Sequence, residues 1–162
     1  MPGQERVLEI YVDADGCPVK DEVYRVAERY GLRVWVVANA WLRVPDSPLI
    51  TRVAVSEGLD RADDWIVEQI GPGDIAVTAD VPLADRCIKR GARVIAPNGK
   101  PFTEDSMGDV LATRNLMTAL REAGEVRGGG RPFTKQDRSR FLGALDAAVQ
   151  AIRRAPPGAP GG

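Results

Sequence analysis

The 162-residue sequence contains no histidine and only two cysteines, Cys17 and Cys87. The missing histidine excludes a Ser-His or Cys-His catalytic triad, a histidine general base and any histidine-ligated zinc site. Two cysteines cannot complete a structural zinc site, and they do not make the disulfide framework of a small secreted protein. Any catalysis by this chain therefore has to use carboxylates, and we expect a hard metal ion to assist them.

Long apolar runs and a strong net charge are also missing. No run approaches the ~20 residues of a membrane span, and no secretory signal precedes the first predicted strand, so we expect a soluble, cytoplasmic protein without a membrane partner. The net charge of −1 does not indicate a polybasic nucleic-acid binder. The charge is uneven, because residues 1–120 carry 14 basic and 19 acidic side chains and residues 121–162 carry 8 and 4. The basic segment can face a phosphate backbone, although solvated surface is the simpler explanation.

Short apolar runs alternate with amphipathic segments along the chain. The predicted strands are residues 7–12, 34–38, 52–55, 74–78 and 93–96, and the predicted helices are residues 18–30, 60–70, 82–90, 103–123 and 134–152. The alternation predicts an α/β fold, a three-layer sandwich with a five-stranded, mostly parallel sheet and helices on both faces. With 44% hydrophobic residues, we expect one domain over residues 1–154 and a disordered Ala/Pro/Gly tail over 155–162.

Acidic residues follow the first and fourth predicted strands. Asp13 and Asp15 end the first strand, and Asp80 follows the fourth. Ligands of open α/β sheets bind beyond the carboxyl ends of the strands, at the point where the strand order reverses. If strands one and four are neighbours there, Asp13 and Asp80 meet. Asp63 and Asp64, near the start of the helix before strand four, are expected to join them.

Several carboxylates in one crevice raise each other's pKa values, and a bound cation removes the conflict. Oxygen ligands without histidine or thiolate favour Mg²⁺ or Mn²⁺, and one or two such ions can polarise a phosphodiester and lower the pKa of a bound water. Each acid also has a purely structural interpretation. Asp13 and Asp15 can form a turn, Asp80 can cap the next helix, and Asp63 and Asp64 suit a helix N-terminus.

Other side chains have weaker claims to a role. Those that could assist the metal site or bind substrate are Thr78, Asp85, Asn98 and Lys20. Cys17 is near a helix N-terminus, but no base is available and Asp15 opposes a thiolate, so we do not expect a nucleophile. Trp41 can stack on a base, but we expect it to pack beneath its loop.

Several segments resemble the bacterial YaiI/YqxD family of uncharacterised proteins. The segments that carry the resemblance are Tyr11-Val12-Asp13-Ala14-Asp15-Gly16-Cys17-Pro18-Val19-Lys20, Ala62-Asp63-Asp64-Trp65-Ile66, Val77-Thr78-Ala79-Asp80-Val81-Pro82-Leu83-Ala84, Ala96-Pro97-Asn98-Gly99, Pro101-Phe102-Thr103-Glu104-Asp105-Ser106 and Phe133-Thr134-Lys135-Gln136-Asp137-Arg138-Ser139-Arg140-Phe141-Leu142. The resemblance extends over roughly residues 7–152.

That family in turn resembles the PIN-like nuclease superfamily of metal-dependent RNases and flap nucleases. The resemblance implies that Asp13 is the first metal-binding acid, Asp80 the acid of a Thr-x-Asp pattern, and Asp63 or Asp64 the middle acid. It implies a nuclease that acts on RNA or structured nucleic acid, with Asp13, Asp64 and Asp80 as catalytic metal ligands and Asp15 and Asp63 as ligands or anchors.

Two alternatives stay open at this point. The first is a phosphatase that resembles the haloacid dehalogenases, whose nucleophile motif is also Asp-x-Asp after strand one. Asp13 would then form an aspartyl-phosphate and Asp15 would act as acid and base. The second is a PIN-like module that binds RNA, DNA or a protein and does not cleave.

Overall fold

The computed structural model describes residues 8–15, 17–39, 41–55, 61–102 and 133–154. The elements within them are β1 (Ile10–Asp13), α1 (Lys20–Tyr30), β2 (Val34–Ala38), β3 (Ile50–Ala54), α2 (Arg61–Gln69), β4 (Ile75–Val77), α3 (Val81–Lys89), β5 (Arg93–Ile95), β6 (Pro101–Phe102) and α4 (Lys135–Arg154). The structure confirms the α/β fold. The predicted cap at Asp60, the whole predicted helix over 103–123 and the tail from residue 155 lie outside the described residues.

The six strands form one sheet in the order β3-β2-β1-β4-β5-β6. The pairs from β3 to β5 are all parallel, and β1 lies between β2 and β4. The chain therefore winds outwards from β1 to β3, returns across the sheet and continues outwards from β4. The strand order reverses between β1 and β4, which is where we expected Asp13 and Asp80 to meet.

The sheet has one strand more than the five expected from the sequence. β6 is two residues long and pairs antiparallel with β5, after the turn at residues 97–99. Within that turn Gly99 donates its N–H to Ala96 O, and its φ of 89° is in the left-handed region that glycine accommodates best. A strand so short, beginning with a proline that has no N–H, has no alternating pattern to detect.

The inner strands β1 and β4 are buried on both faces, so they appear in the sequence as continuous apolar runs, whereas β3 and β6 are partly exposed. Ile10 and Val12 of β1 face a core formed with α1 and α4, whereas Tyr11 faces a second core formed with α2 and α3. This arrangement is the predicted three-layer sandwich. No described helix is long and apolar enough to cross a membrane.

The connection between the parallel strands β2 and β3 contains no helix within residues 41–49. Leu42, Val44 and Leu49 pack against the core that also contains α1, so this loop covers sheet surface that a crossover helix would usually cover. Trp41 does not pack beneath the loop. Its exposed fraction is 71%, and the expectation that it is buried was wrong.

Helix boundaries differ from the predictions by about one turn or less, as cap geometry decides them. α1 begins at Lys20 instead of at Pro18, with Val19 at the N-cap position and no side-chain cap. α4 begins as predicted, because Thr134 Oγ1 accepts the N–H of Asp137 while the Asp137 carboxylate accepts the N–H of Thr134. These reciprocal bonds are a capping box, with Asp in the place of the usual Glu.

Candidate acidic site at the carboxyl ends of β1 and β4

A cavity of about 300 Å³ opens where the ends of β1 and β4 meet. The residues that line it are Asp13, Asp15, Cys17, Thr78, Ala79, Asp80 and Pro97. Asp13 is the last residue of β1, and Thr78 to Asp80 join β4 to α3. The strand order therefore brings together three of the five acids singled out from the sequence.

Thr78 joins the two sides of the cavity. It is 2% exposed, and its Oγ1 donates a hydrogen bond to Asp13 Oδ2 at 2.8 Å. The same oxygen accepts the backbone N–H of Asp80 at 3.0 Å. A hydroxyl has one donor and two acceptor positions, so it can hold the side chain of Asp13 and the backbone of Asp80 at once. Thr78 therefore fixes the acid of β1 relative to the acid that follows β4.

Asp15 lies in the turn after β1. The N–H of Cys17 donates to Ala14 O at 3.1 Å, which closes this turn. Lys20 Nζ donates to Cys17 O at 2.7 Å, so this lysine, which we named as a possible substrate-binding residue, supports the turn beside the cavity. Asp15 is exposed, and its Oδ2 accepts the N–H of Asn39 at 3.0 Å, which connects the cavity to the loop after β2.

Burial raises the pKa of Asp13, and the negative charges of Asp80 and Asp15 raise it further, while the Thr78 hydrogen bond opposes the shift. Burial also raises the pKa of the neighbouring Cys17 thiol, and the charge of Asp13 adds to that shift. A thiol with a raised pKa is a poor nucleophile near neutral pH. The chemistry of the cavity therefore centres on its carboxylates.

Asp80 also has the structural role that the sequence allowed. It is the N-cap residue of α3, and its Oδ1 accepts the N–H of Leu83 at 3.0 Å. The three cavity acids thus each give one oxygen to a protein hydrogen bond: Asp13 to Thr78, Asp15 to Asn39 and Asp80 to Leu83. In this arrangement the described residues contain no group of three or more acidic or thiol side chains spaced to hold a metal ion.

The two acids of α2 lie outside the cavity lining. Asp64 is exposed, and its Oδ1 lies 3.0 Å from Arg86 Nη1. Asp63 is half-buried. Burial raises the pKa of the Cys87 thiol to about 12, and the charges of Asp63 and Asp13 both add to that shift. The two acids of α2 therefore differ in exposure, with Asp64 in solvent and Asp63 partly covered.

Comparisons with known proteins identify the family to which the chain belongs. The family DUF188, described as "Uncharacterized BCR, YaiI/YqxD family", matches residues 11–151. The chain belongs to this family. A UPF0178 protein of Bradyrhizobium sp. (strain ORS 278) is 64% identical over 147 residues, which cover 91% of this chain and 90% of that protein. A UPF0178 protein of Rhodopseudomonas palustris (strain HaA2) is 64% identical over 151 residues, which cover 93% and 92%. No solved structure is significantly similar to the chain.

Two further predicted residues have local roles in this YaiI/YqxD protein. Asp85 is half-buried on α3 and forms an ion pair with Lys89, 2.8 Å away, one turn along the helix. Asn98 Oδ1 accepts the N–H of Lys100 at 3.0 Å and so shapes the turn between β5 and β6. Neither residue lines the cavity.

Sequence reasoning did not place the start of α4 at this site. Arg138 Nη1 donates to Pro18 O at 2.6 Å, and Pro18 follows the cavity residue Cys17. A Cβ added to Gly99 would lie 2.9 Å from the backbone of Arg140, so α4 also abuts the turn that follows the cavity residue Pro97. The only earlier signal was the basic character of the C-terminal segment.

Proposed function

We propose that the chain is a Mg²⁺- or Mn²⁺-dependent nuclease that hydrolyses phosphodiester bonds of RNA or structured nucleic acid at the cavity between β1 and β4. One observation carries the proposal. Asp13, Asp15 and Asp80 share this cavity, and the pKa of Asp13 is raised by burial and by the other two carboxylates. Electrostatic repulsion of this kind is relieved by a cation, and a purely carboxylate donor set suits a hard one.

The donor chemistry fits the ion, but the side chains have to move to bind it. Asp13 is held by Thr78 and supplies the fixed ligand. Asp15 and Asp80 are exposed, so their carboxylates can turn toward Asp13 at little cost in packing. A bound ion would polarise the scissile phosphate and lower the pKa of the attacking water. Thr78 would act by orienting Asp13, as residues that contact metal ligands commonly do.

Two further features support a nucleic-acid substrate. Arg138, at the start of α4, donates to Pro18 O in the turn beside the cavity and lies 3.5 Å from Glu22. The guanidinium of Arg140 lies 3.4 Å from Asp137. Both guanidinium groups are partly exposed, so each can exchange its carboxylate partner for a phosphate. Such groups suit the phosphates that flank a scissile bond. The resemblance of the β1 and β4 ends to PIN-like nucleases points to the same chemistry.

The test is Mn²⁺-dependent cleavage of a mixed RNA pool by the wild-type protein and three variants. We expect Asp13→Asn and Asp80→Asn to lose about 100-fold or more of the activity, because even residues that orient metal ligands cost 10- to 100-fold. Asp64→Asn is the charge-matched variant at the acid that the resemblance made a third ligand, and we expect it to retain cleavage because Asp64 is exposed, paired with Arg86 and outside the cavity. Loss of cleavage in Asp64→Asn would return this acid to the site. Cleavage that survives in Asp13→Asn and Asp80→Asn would show contamination or another mechanism.

A phosphatase is the second candidate, because Asp13 and Asp15 line the same cavity in the Asp-x-Asp spacing of aspartyl-phosphate enzymes. Its nucleophile would be Asp13 itself, so beryllofluoride with Mg²⁺ should stabilise the wild-type fold and not Asp13→Asn. Thermal unfolding of both proteins with and without beryllofluoride distinguishes the two candidates. No stabilisation by beryllofluoride would dismiss the phosphatase.

A further inference from the structure

Trp41 is the one large hydrophobic side chain that the described part of the chain leaves exposed, at 71%. The other two tryptophans, Trp35 and Trp65, are half-buried and lie 5.8 Å apart between ring centroids. A single exposed apolar side chain is common on protein surfaces, so exposure alone assigns Trp41 no ligand. The argument for a ligand rests on the loop that holds the indole and on the cations around it.

The loop that carries Trp41 is held in place. Leu42 and Val44 pack against the core, so the backbone directs Trp41 and Arg43 outwards in an extended alternation. Farther along the loop, Ser47 Oγ donates to Glu28 Oε1 at 2.9 Å and accepts the N–H of Leu49. A ring presented by a fixed loop loses little conformational entropy when it binds.

Arg52 of the edge strand β3 lies against the indole. Its guanidinium carbon is 5.0 Å from the centroid of the Trp41 ring, and its Nη1 donates to Leu42 O at 3.4 Å. One face of the ring thus carries a cation, and Arg43 adds a second exposed cation from the same loop. Aromatic surface between arginines suits a ligand that has both flat bases and phosphates.

The loop that carries Trp41 is tied to the acidic cavity by a hydrogen bond. Asn39, two residues before Trp41, donates its N–H to the cavity residue Asp15. Two residues of chain span at most about 7 Å, so the Cα of Trp41 lies within about that distance of the Cα of Asn39. A nucleic-acid strand lying in the cavity can therefore place a neighbouring base on the indole.

We propose that Trp41, with Arg52 behind it and Arg43 beside it, is a base-stacking subsite for single-stranded nucleic acid. The subsite rests on the proposed function in that it assigns single strands as the substrate class of the acidic cavity. The indole binds a base next to the scissile phosphate without reading its sequence, because every base offers an aromatic face. The arginines bind the adjoining phosphates.

Binding can be measured without cleavage, in EDTA, by fluorescence anisotropy of a labelled oligouridine and of an abasic strand of the same length. We expect wild-type protein to bind the oligouridine more tightly than the abasic strand. Trp41→Ala should lower affinity for the oligouridine about 5-fold or more and abolish this preference, because stacking on one base is worth about that factor at minimum. Trp41→Phe should retain most of the affinity.

Arg52→Gln should weaken binding of both strands. Its matched control is Arg154→Gln, which removes the same charge at the far end of α4. The nearby Ile152 approaches Gly73 in the loop before β4, at the amino ends of the strands and so away from the cavity. Equal affinity of Trp41→Ala and wild type for the oligouridine would overturn the subsite. A changed oligomeric state of Trp41→Ala in sedimentation, with unchanged binding, would also overturn it and assign the surface to a second copy of the chain.

The two proposals can fail separately. Binding of the oligouridine in EDTA reports on the Trp41 subsite without the metal, whereas metal-dependent cleavage reports on the acidic cavity. Base-dependent binding without any metal-dependent cleavage would keep the subsite and refute the nuclease. Metal-dependent cleavage with no contribution of Trp41 to affinity would keep the nuclease and refute the subsite.

Discussion

Three carboxylates near or in the core of this protein have different surroundings. Asp74 is 1% exposed and accepts the N–H groups of Glu9 and Gly71, which joins the start of β1 to the loop before β4. Asp137 is 2% exposed and accepts both the N–H and the hydroxyl of Thr134. Asp13 instead faces two other acids across a cavity. The hydrogen bonds of Asp74 and Asp137 give these two residues structural roles, whereas the surroundings of Asp13 disfavour its ionised form.

The raised pKa of Asp13 makes the protein less stable as the pH rises. Between the ordinary aspartate pKa and the raised one, the folded state binds more protons than the unfolded state, so the free energy of unfolding falls across this window. The loss is complete once the pH exceeds the raised pKa. We therefore expect Asp13→Asn to be more stable than wild type at pH 7 in EDTA, with a difference that shrinks as the pH falls toward the ordinary aspartate pKa.

Urea unfolding at a series of pH values measures this effect. Asp64→Asn is again the control, since it breaks only an exposed ion pair with Arg86 and should be neutral or slightly destabilising. If Asp13→Asn is no more stable than wild type at pH 7, the cavity does not oppose the charge of Asp13, and the main argument for a cation there is lost.

At the scale of the element, Asp80 both caps α3 and lines the cavity, and two substitutions separate these roles. Asparagine caps helices as well as aspartate does, so Asp80→Asn should leave stability nearly unchanged, whereas Asp80→Ala should cost about 1 kcal/mol. Both variants should lose metal-dependent cleavage. Urea unfolding and the RNA assay, run on both variants, check this. Full cleavage by Asp80→Asn would show that Asp80 only caps α3 and takes no part in cleavage.

Elements were predictable where the signal was local. Strands β1 and β4 are apolar runs; Asp13 ends the first, and Asp80 follows the second by three residues. The sequence therefore predicted both strands, and it predicted that these two acids meet if the strands are neighbours. The separation of Asp63 from Asp64 is less apparent, because adjacent helix residues point about 100° apart and only packing decides which one turns inwards. The sequence did not show whether the Trp41 side chain or its neighbours in the loop would cover the sheet, because no short pattern distinguishes the two arrangements.

The whole molecule closes its site with a segment distant in sequence. The start of α4 contacts the turn after β1 through Arg138 and the turn after β5 through Arg140. No sequence pattern placed α4 at these turns. Arg138 and Pro18 are 120 positions apart, and the close approach of Arg140 to Gly99 results from packing. The site is therefore held by two strand ends and by a helix docked across their turns.

Gly99→Ala tests whether this docking matters. At Gly99, with φ of 89°, an added Cβ would lie 2.9 Å from the backbone of Arg140, whereas at Gly31, with φ of 66°, it would meet nothing within 4 Å. Gly31→Ala should therefore cost only the left-handed backbone penalty of about 1–2 kcal/mol, and Gly99→Ala about 1–3 kcal/mol more, for overpacking. Because α4 must shift from the cavity rim, we expect Gly99→Ala alone to lower cleavage at temperatures where both variants are fully folded. Equal losses of stability in urea and equal activities would mean that α4 merely covers the core and does not shape the site.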